Sequence, residues 1–386
     1  MRRQEVAAHQ TFPDCVGAIL TIDLQAIRDN YRRLSARLSG AECAAVVKAD
    51  GYGLGAADIC NALASEGCRA FFVAHPSEAL ELRTALGPQP DIYILNGVYP
   101  GAEEACARAG LIAVANSTEQ LTAWQAASRR HGPLPVAIQI DSGMSRLGMA
   151  PSEVRALAPD AFEGLDLRLV MSHLACADEP DNPINGMQRS AFEELHRLLP
   201  PAPASLANSS GIFLGTDFQY DLVRPGAALY GVNPTPARDN PMRQVVGLQA
   251  KVIQSRELAV DIGIGYGHAY RTTAPLRTAT IAVGYADGWP RRAGAAAWLD
   301  GIKLPFAGRV SMDSIVLDIS ALPPGRPEPG EMVELIGPHQ TIDDLAAIAG
   351  TIGYEILTGL GGRFHRVLKN GVVGQDVTAK AWGTAG

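Results

Sequence analysis

The chain of 386 residues has no apolar run long enough to cross a membrane, no C-x-x-C pair, no internal repeat and no low-complexity segment. The first of these absences argues against a membrane protein built of spanning helices. Arg2 and Arg3 are not followed by an apolar segment of signal-peptide length, because Val16 to Leu20 is cut short by Thr21 and Asp23. Residues 1–14 therefore read as a tail. The six cysteines (Cys15, Cys43, Cys60, Cys68, Cys106 and Cys176) stand apart from one another and read as reduced thiols, not as zinc ligands or a disulfide framework. With no leader, that places the protein in the cytoplasm. A net charge of −7 gives no electrostatic reason to bind nucleic acid or an anionic membrane surface. A small-molecule partner is the expectation that remains.

What is present is an ordinary globular balance, 47% hydrophobic and 19% charged, in a chain too long for one common core. Two domains follow, unless one of them is an α/β barrel, a fold that runs long. The stretch that organises the reading is Ala44-Ala45-Val46-Val47-Lys48, which passes directly into Ala49-Asp50-Gly51-Tyr52-Gly53-Leu54-Gly55. A buried strand delivers an amine to its own end, and a glycine-rich loop carrying one tyrosine follows. A lysine held at the edge of a water-poor pocket can form a Schiff base with a carbonyl, the way pyridoxal phosphate is tethered.

Further apolar runs recur at 70–74, 91–95, 111–115, 136–140, 167–171, 204–207 and 227–230, making eight with the Lys48 strand. Amphipathic stretches such as 77–86, 117–129 and 187–199 fill most of the gaps, and Asp23 is placed to cap a first helix carrying Leu24, Ile27, Tyr31 and Leu34 on one face. Eight strands alternating with helices predict a (β/α)8 barrel over 15–244. The residues at or just beyond the strand ends are Lys48, His75, Asn96, Asn116, Asp141, His173, Asn208 and Tyr230. Polar side chains there suit the active-site face of such a barrel, although His75 and Asn96 read more simply as loop openers.

Beyond Gly231 prolines interrupt the pattern, and strand-like runs at 248–255, 279–283, 314–319 and 332–336 alternate with turns. Residues 245–386 are expected to form a mainly β domain, with one clear helix over 342–349 capped by Thr341.

Three loops of the barrel and three segments of the second domain carry candidate chemistry. Asp141-Ser142-Gly143-Met144-Ser145-Arg146 sets a planar guanidinium over the barrel mouth, suited to a carboxylate or a phenolate. Asn208-Ser209-Ser210-Gly211 follows the seventh strand, and Val223-Arg224-Pro225-Gly226-Ala227 leads into the eighth, the usual phosphate site of these barrels. In the second domain, Gly263-Ile264-Gly265-Tyr266-Gly267, Val283-Gly284-Tyr285-Ala286-Asp287-Gly288 and Gly308-Arg309-Val310-Ser311-Met312-Asp313 are glycine-framed segments that together suggest a surface facing a site.

Taken in order, V-V-K-A-D-G-Y-G-L-G, D-S-G-M-S-R-L-G, S-H-L-A-C-A-D-E, A-N-S-S-G, V-R-P-G-A-A-L-Y-G, V-G-Y-A-D-G-W, V-S-M-D and Y-E-I-L resemble alanine racemase, a pyridoxal phosphate enzyme, from Gly17 to about Arg366. The resemblance implies a barrel plus a β domain, with the strand near 18–22 joining the β domain's sheet. It also implies a homodimer in which each β domain completes the partner's active site. It assigns the Schiff base to Lys48 and the second catalytic base to Tyr266 of the other subunit, with His173 behind it. Tyr52, Ser209, the N–H groups of Gly226 and Ala227, and Tyr354 are implied as phosphate ligands, and Arg224 as the partner of the pyridine nitrogen. Arg146, Tyr285 and Met312 are implied to hold substrate, with Asp178, Arg291, Arg309 and Ile352 along the corridor to it. The activity implied is interconversion of L- and D-alanine by two bases, supplying D-alanine for peptidoglycan. Alternatives are a racemase of broader range, acting on serine or other amino acids, and a decarboxylase of the same architecture. The decarboxylases generally place a carboxylate at the pyridine nitrogen, where Arg224 stands. The sequence departs from the family in three places: Gln139 where a carbamylated lysine is frequent, Gly51 where alanine is common, and Ser311 where cysteine is common.

Overall fold

The computed structural model describes residues 15–370, so the tail read at 1–14 and the end of the β domain at 371–386 lie outside the described residues. The described chain separates into two compact units. Gln25–Arg243 form one, and the residues up to Leu24 join those from Gln244 onward in the other.

The first unit is a parallel barrel. Strands Ala45–Val46, Ala70–Val73, Asp91–Ile94, Ile112–Ala115, Leu134–Gln139, Leu165–Met171 and Ala204–Ser205 form one sheet in chain order, and Leu222–Val223 pairs in parallel with Glu42–Cys43. The ring closes through the backbone. Asp221 N donates to Ala204 O at 3.1 Å and Arg224 N to Ala207 O at 2.9 Å, while Ala44 N donates to Val223 O at 3.0 Å and Val46 N to Pro225 O at 2.9 Å. Strands buried on both faces read as continuous apolar runs, which is why Ala-Phe-Phe-Val and Ile-Ala-Val-Ala are fully buried. Helices Pro76–Leu86, Thr118–His131 and Pro183–His196 cover them, the second capped by Ser117, whose hydroxyl accepts from Gln120 N.

One strand falls elsewhere than the sequence reading placed it. The run Ala227–Tyr230 is a buried 3₁₀ turn ended by Gly231 in the left-handed region, not the eighth strand. The eighth strand is Leu222–Val223, so the Val223-Arg224-Pro225-Gly226-Ala227 segment leaves that strand at its C-terminal end. Burial inside a turn produces the same apolar run as burial inside a strand, and a strand of two residues shows no periodicity.

The second unit is built on the strand Val246–Leu258. Its first half pairs with Met332–Ile336 and with the N-terminal strand Ala18–Asp23, and its second half with Leu276–Ile281, across a register shift at Val252/Gln254. Ala18–Asp23 runs antiparallel to it, with Leu20 opposite Leu248, and parallel to His365–Lys369. Alternate side chains of that N-terminal strand are buried, the period expected of a sheet with one face on the core. Helix Ile342–Ala349 begins at Thr341, whose hydroxyl accepts from Asp344 N, and a second helix, Gly353–Gly359, follows.

Candidate active site

In the barrel unit Lys48 follows the Ala45–Val46 strand and opens a turn in which Ala49, Asp50, Gly51 and Tyr52 all have left-handed backbone angles, φ between 51° and 62°. Burial lowers the basicity of the Lys48 amine, and the nearby Arg146 guanidinium lowers it further, while Glu78 opposes them. Tyr52 is buried against Tyr230, ring centroids 4.5 Å apart, and the Tyr230 hydroxyl donates to Val46 O at 3.0 Å. The aromatic pair thus ties the turn to the strand that carries the lysine.

Ser209 is buried, and its Oγ accepts from Gly226 N at 2.9 Å and Ala228 N at 3.2 Å. With both lone pairs engaged, the hydroxyl must direct its own hydrogen elsewhere, which makes it a donor for an anion. The Gly226 N–H expected to meet that anion directly is instead spent on Ser209. Gly226 also has no room for a side chain, since a Cβ would stand 2.3 Å from the Tyr52 hydroxyl oxygen. Tyr52, Ser209, Gly226 and Ala227 therefore come together at the ends of the first, seventh and eighth strands.

Arg224 follows the eighth strand and is buried. Its guanidinium donates to Ser205 Oγ and, at 2.5 Å, to Ser172 O, with no carboxylate among these acceptors. Burial pushes its pKa down to about 9. His173, next to Ser172, is held down to about 3 by burial and by the cations Arg224, Arg146 and Lys48, so its imidazole is neutral near pH 7. Arg146 is exposed on a loop fixed by Asp141, whose Oδ1 accepts from the N–H groups of Gly143, Met144 and Ser145 at 2.9, 3.0 and 3.0 Å. Gln139, inside the barrel, is buried.

Asp178 also lies in the barrel unit, whereas Tyr266, Tyr285, Arg291, Arg309, Met312, Ile352 and Tyr354 belong to the β unit. Gly265, Tyr266, Ser311, Met312, Asp313 and Ser314 line a cleft of about 450 Å³, and the Tyr266 side chain is exposed. Tyr285 reaches the same loop through the backbone, Tyr285 N donating to Ser311 O at 3.0 Å and Ala286 N to Met312 O at 2.9 Å. The sequence reading missed the group that holds these loops together. Buried Asp287 accepts from Gly284 N at 2.8 Å and pairs with Arg363 at 3.1 Å, and Arg363 also reaches Asp313 at 2.7 Å. Tyr354 lies on Gly353–Gly359, half exposed.

These barrel residues fit pyridoxal phosphate. An amine of lowered basicity, a buried hydroxyl free to donate into a side-chain-free cradle, and a buried guanidinium bonded only to neutral oxygens match its aldehyde, phosphate and ring nitrogen.

Two family models account for nearly all of the described chain: the alanine racemase N-terminal domain over residues 22–234 and the alanine racemase C-terminal domain over 245–368. A catabolic alanine racemase of Mesorhizobium japonicum is 64% identical over 353 residues, 91% of this chain and 93% of that protein. One from Agrobacterium fabrum is 50% identical, over 90% and 91%. The crystal structure of the Bartonella henselae alanine racemase, which holds covalently bound pyridoxal phosphate, superposes with a TM-score of 0.88 at 43% identity, covering 92% of this chain and 99% of that one.

Proposed function

The chain belongs to the alanine racemase family, and from that membership we propose that it is an isomerase interconverting L- and D-alanine with pyridoxal phosphate attached to Lys48. The observation that carries the assignment is Lys48 itself, an amine of lowered basicity on a fixed turn beside the Ser209 cradle. When bound, the cofactor supplies a conjugated sink for the charge left on the substrate's α-carbon.

The protein residues do the rest. Racemisation takes the α-hydrogen from one face and returns one to the other, so two proton carriers are needed unless one can move. Lys48 serves one face, since lowering its pKa makes more of the free amine available near neutral pH. Tyr266 of the partner subunit serves the other, its exposure in this chain suiting a residue used in a neighbour's site. Tyr52, Ser209 and the Ala227 N–H hold the phosphate, with Gly226 leaving room for it and orienting Ser209. Arg224 faces the ring nitrogen, and His173 stays neutral beside it. As a cation, Arg224 cannot stabilise a proton on that nitrogen as a carboxylate would, so the ring is a weaker electron sink and decarboxylation is disfavoured. Arg146 takes the substrate carboxylate, and Tyr285 and Met312 of the partner subunit close the pocket. Racemisation runs both ways. It can supply D-alanine to peptidoglycan or draw on it for growth, and the catabolic relatives support the second use. The protein acts in the cytoplasm as a homodimer.

Mixing two inactive variants tests the shared site. Lys48→Ala and Tyr266→Ala, dissociated and reassembled together, regain about a quarter of wild-type racemisation, because half of the dimers then contain one intact site. Normal turnover by Lys48→Ala alone sinks the assignment. No recovery on mixing sinks the division of the site between subunits. A screen of alanine, serine and larger amino acids by chiral chromatography sets the substrate range, and release of carbon dioxide marks the decarboxylase.

A further inference from the structure

Glu78 occupies the third position of helix Pro76–Leu86, where a carboxylate ordinarily caps the helix by accepting from the backbone ahead of it. Here one of its oxygens does that, Oε2 accepting from His75 N at 3.0 Å and also from Ala74 N at 2.7 Å. The cap is then complete, yet the other oxygen is engaged elsewhere. Oε1 accepts from Ala49 N at 2.6 Å, the peptide N–H immediately after Lys48. The carboxylate thus bridges the end of the Ala70–Val73 strand to the first peptide of the left-handed turn. Ala49 has φ 54°, a conformation that costs an L-residue roughly 1–2 kcal/mol, so it must be held from outside.

We propose that Glu78 is a positioning residue for Lys48, its carboxylate fixing the peptide that carries the lysine and its charge offsetting the cations gathered around the amine. The inference rests on the reading of Lys48 as the cofactor lysine. The charged and titratable groups acting with Lys48 are Arg146 and His173 from the barrel mouth and Glu78 itself. His173 is neutral above about pH 3, so among the described residues acting on Lys48, Glu78 is the negative charge set against Arg146. Three donors on two oxygens also define what a substitution removes. Glutamine loses the charge and one acceptor oxygen. Aspartate keeps the charge on an arm one methylene too short to span both strand ends.

The experiment uses the full-length protein, cofactor-loaded and after removal of the cofactor. In the cofactor-free protein, competitive acetylation of Lys48 across a pH series, read by peptide mass, gives the midpoint of its reactivity. Glu78→Gln lowers that midpoint by roughly half a pH unit or more. In the loaded protein the same variant accelerates hydrogen exchange in the 47–52 segment roughly tenfold. Glu78→Asp accelerates the exchange but leaves the midpoint near that of wild type. Glu81→Gln, an exposed acid on the same helix, changes neither. An unmoved midpoint in Glu78→Gln, an unchanged exchange rate, or an equal effect from Glu81→Gln overturns the proposal. If Glu78→Gln does not fold, exchange in Glu78→Asp decides. Borohydride reduction of the loaded wild type and peptide mapping test the underlying reading separately. Cofactor found on another lysine removes the role of Lys48, whereas cofactor on Lys48 with an unmoved midpoint removes only that of Glu78.

Discussion

Replacing Gly51 by alanine, the residue common at that position in the family, is expected to destabilise this protein, and the structure says by how much and through which atom. Gly51 has φ 62° and ψ 46°, so any side chain there carries the left-handed penalty of roughly 1–2 kcal/mol, partly offset by the reduced freedom of alanine in the unfolded chain. A Cβ would also stand 2.7 Å from Ile59 Cδ1 and 3.2 Å from both N and Cα of Ala56. The isoleucine end can rotate away at some cost. The Ala56 backbone is less free, since its N–H is bonded to Asp50 Oδ1 at 2.8 Å and opens helix Ala56–Ala64. Together these place the loss at about 1–3 kcal/mol, several degrees in melting temperature. Ile59→Val removes Cδ1 and by itself costs about 0.5–1.5 kcal/mol as a small cavity. In the double variant that loss is largely recovered, because the space is now used, so the two changes couple by about 1 kcal/mol. Thermal unfolding of the four proteins, all cofactor-free, measures the cycle. A Gly51→Ala protein as stable as wild type refutes the strain argument, and strictly additive losses refute the assignment of the clash to Ile59.

Ser209→Ala leaves the buried N–H groups of Gly226 and Ala228 without their acceptor, which costs about 1–3 kcal/mol of stability and weakens cofactor retention roughly tenfold, read by titrating pyridoxal phosphate into the cofactor-free protein. His173 makes the cofactor-free protein acid-sensitive. Its pKa is held down to about 3 in the folded state against about 6.5 unfolded, so the unfolded chain binds the extra proton first, and stability present above pH 6.5 is lost as pH falls. Between pH 6.5 and 4 that amounts to about 3 kcal/mol. His173→Gln flattens this part of the stability curve, and an unchanged slope removes the assignment.

The barrel was legible because its strands are buried on both sides and announce themselves as short apolar runs spaced by helices. Where the signal failed, the reason is physical. Ala227–Tyr230 is as apolar as a strand because it packs inside the unit, while the strand it displaces, Leu222–Val223, is too short to carry a pattern. Gly353–Gly359 was missed because glycine stands at both of its ends and its one tyrosine read as a ligand instead of a helix residue. Among site residues, those named by local motifs were visible, and those acting across the chain were not. Asp287 and Arg363 lie 76 residues apart, and Glu78 reads as one more polar position on an amphipathic helix. Their roles exist only once strand ends are brought side by side.

The left-handed turn shows why the lysine depends on that assembly. Ala49, Asp50 and Tyr52 together carry a backbone cost of roughly 3–6 kcal/mol that no local preference supplies, and a peptide of this sequence would not adopt the turn alone. Each residue is held by a different device. Ala49 N–H is fixed by Glu78 from the neighbouring strand and helix. Asp50 is fixed by its own carboxylate on Ala56 N, Gly51 by the absence of a side chain, and Tyr52 by the tilted packing of its ring on Tyr230 after the eighth strand. Since these supports come from the second and eighth strands and the following helix, the direction of Lys48 is set by closure of the ring and not by the loop that follows it. A change that opens the ring, even far from the lysine, should therefore release the turn and misdirect the amine before it unfolds the unit.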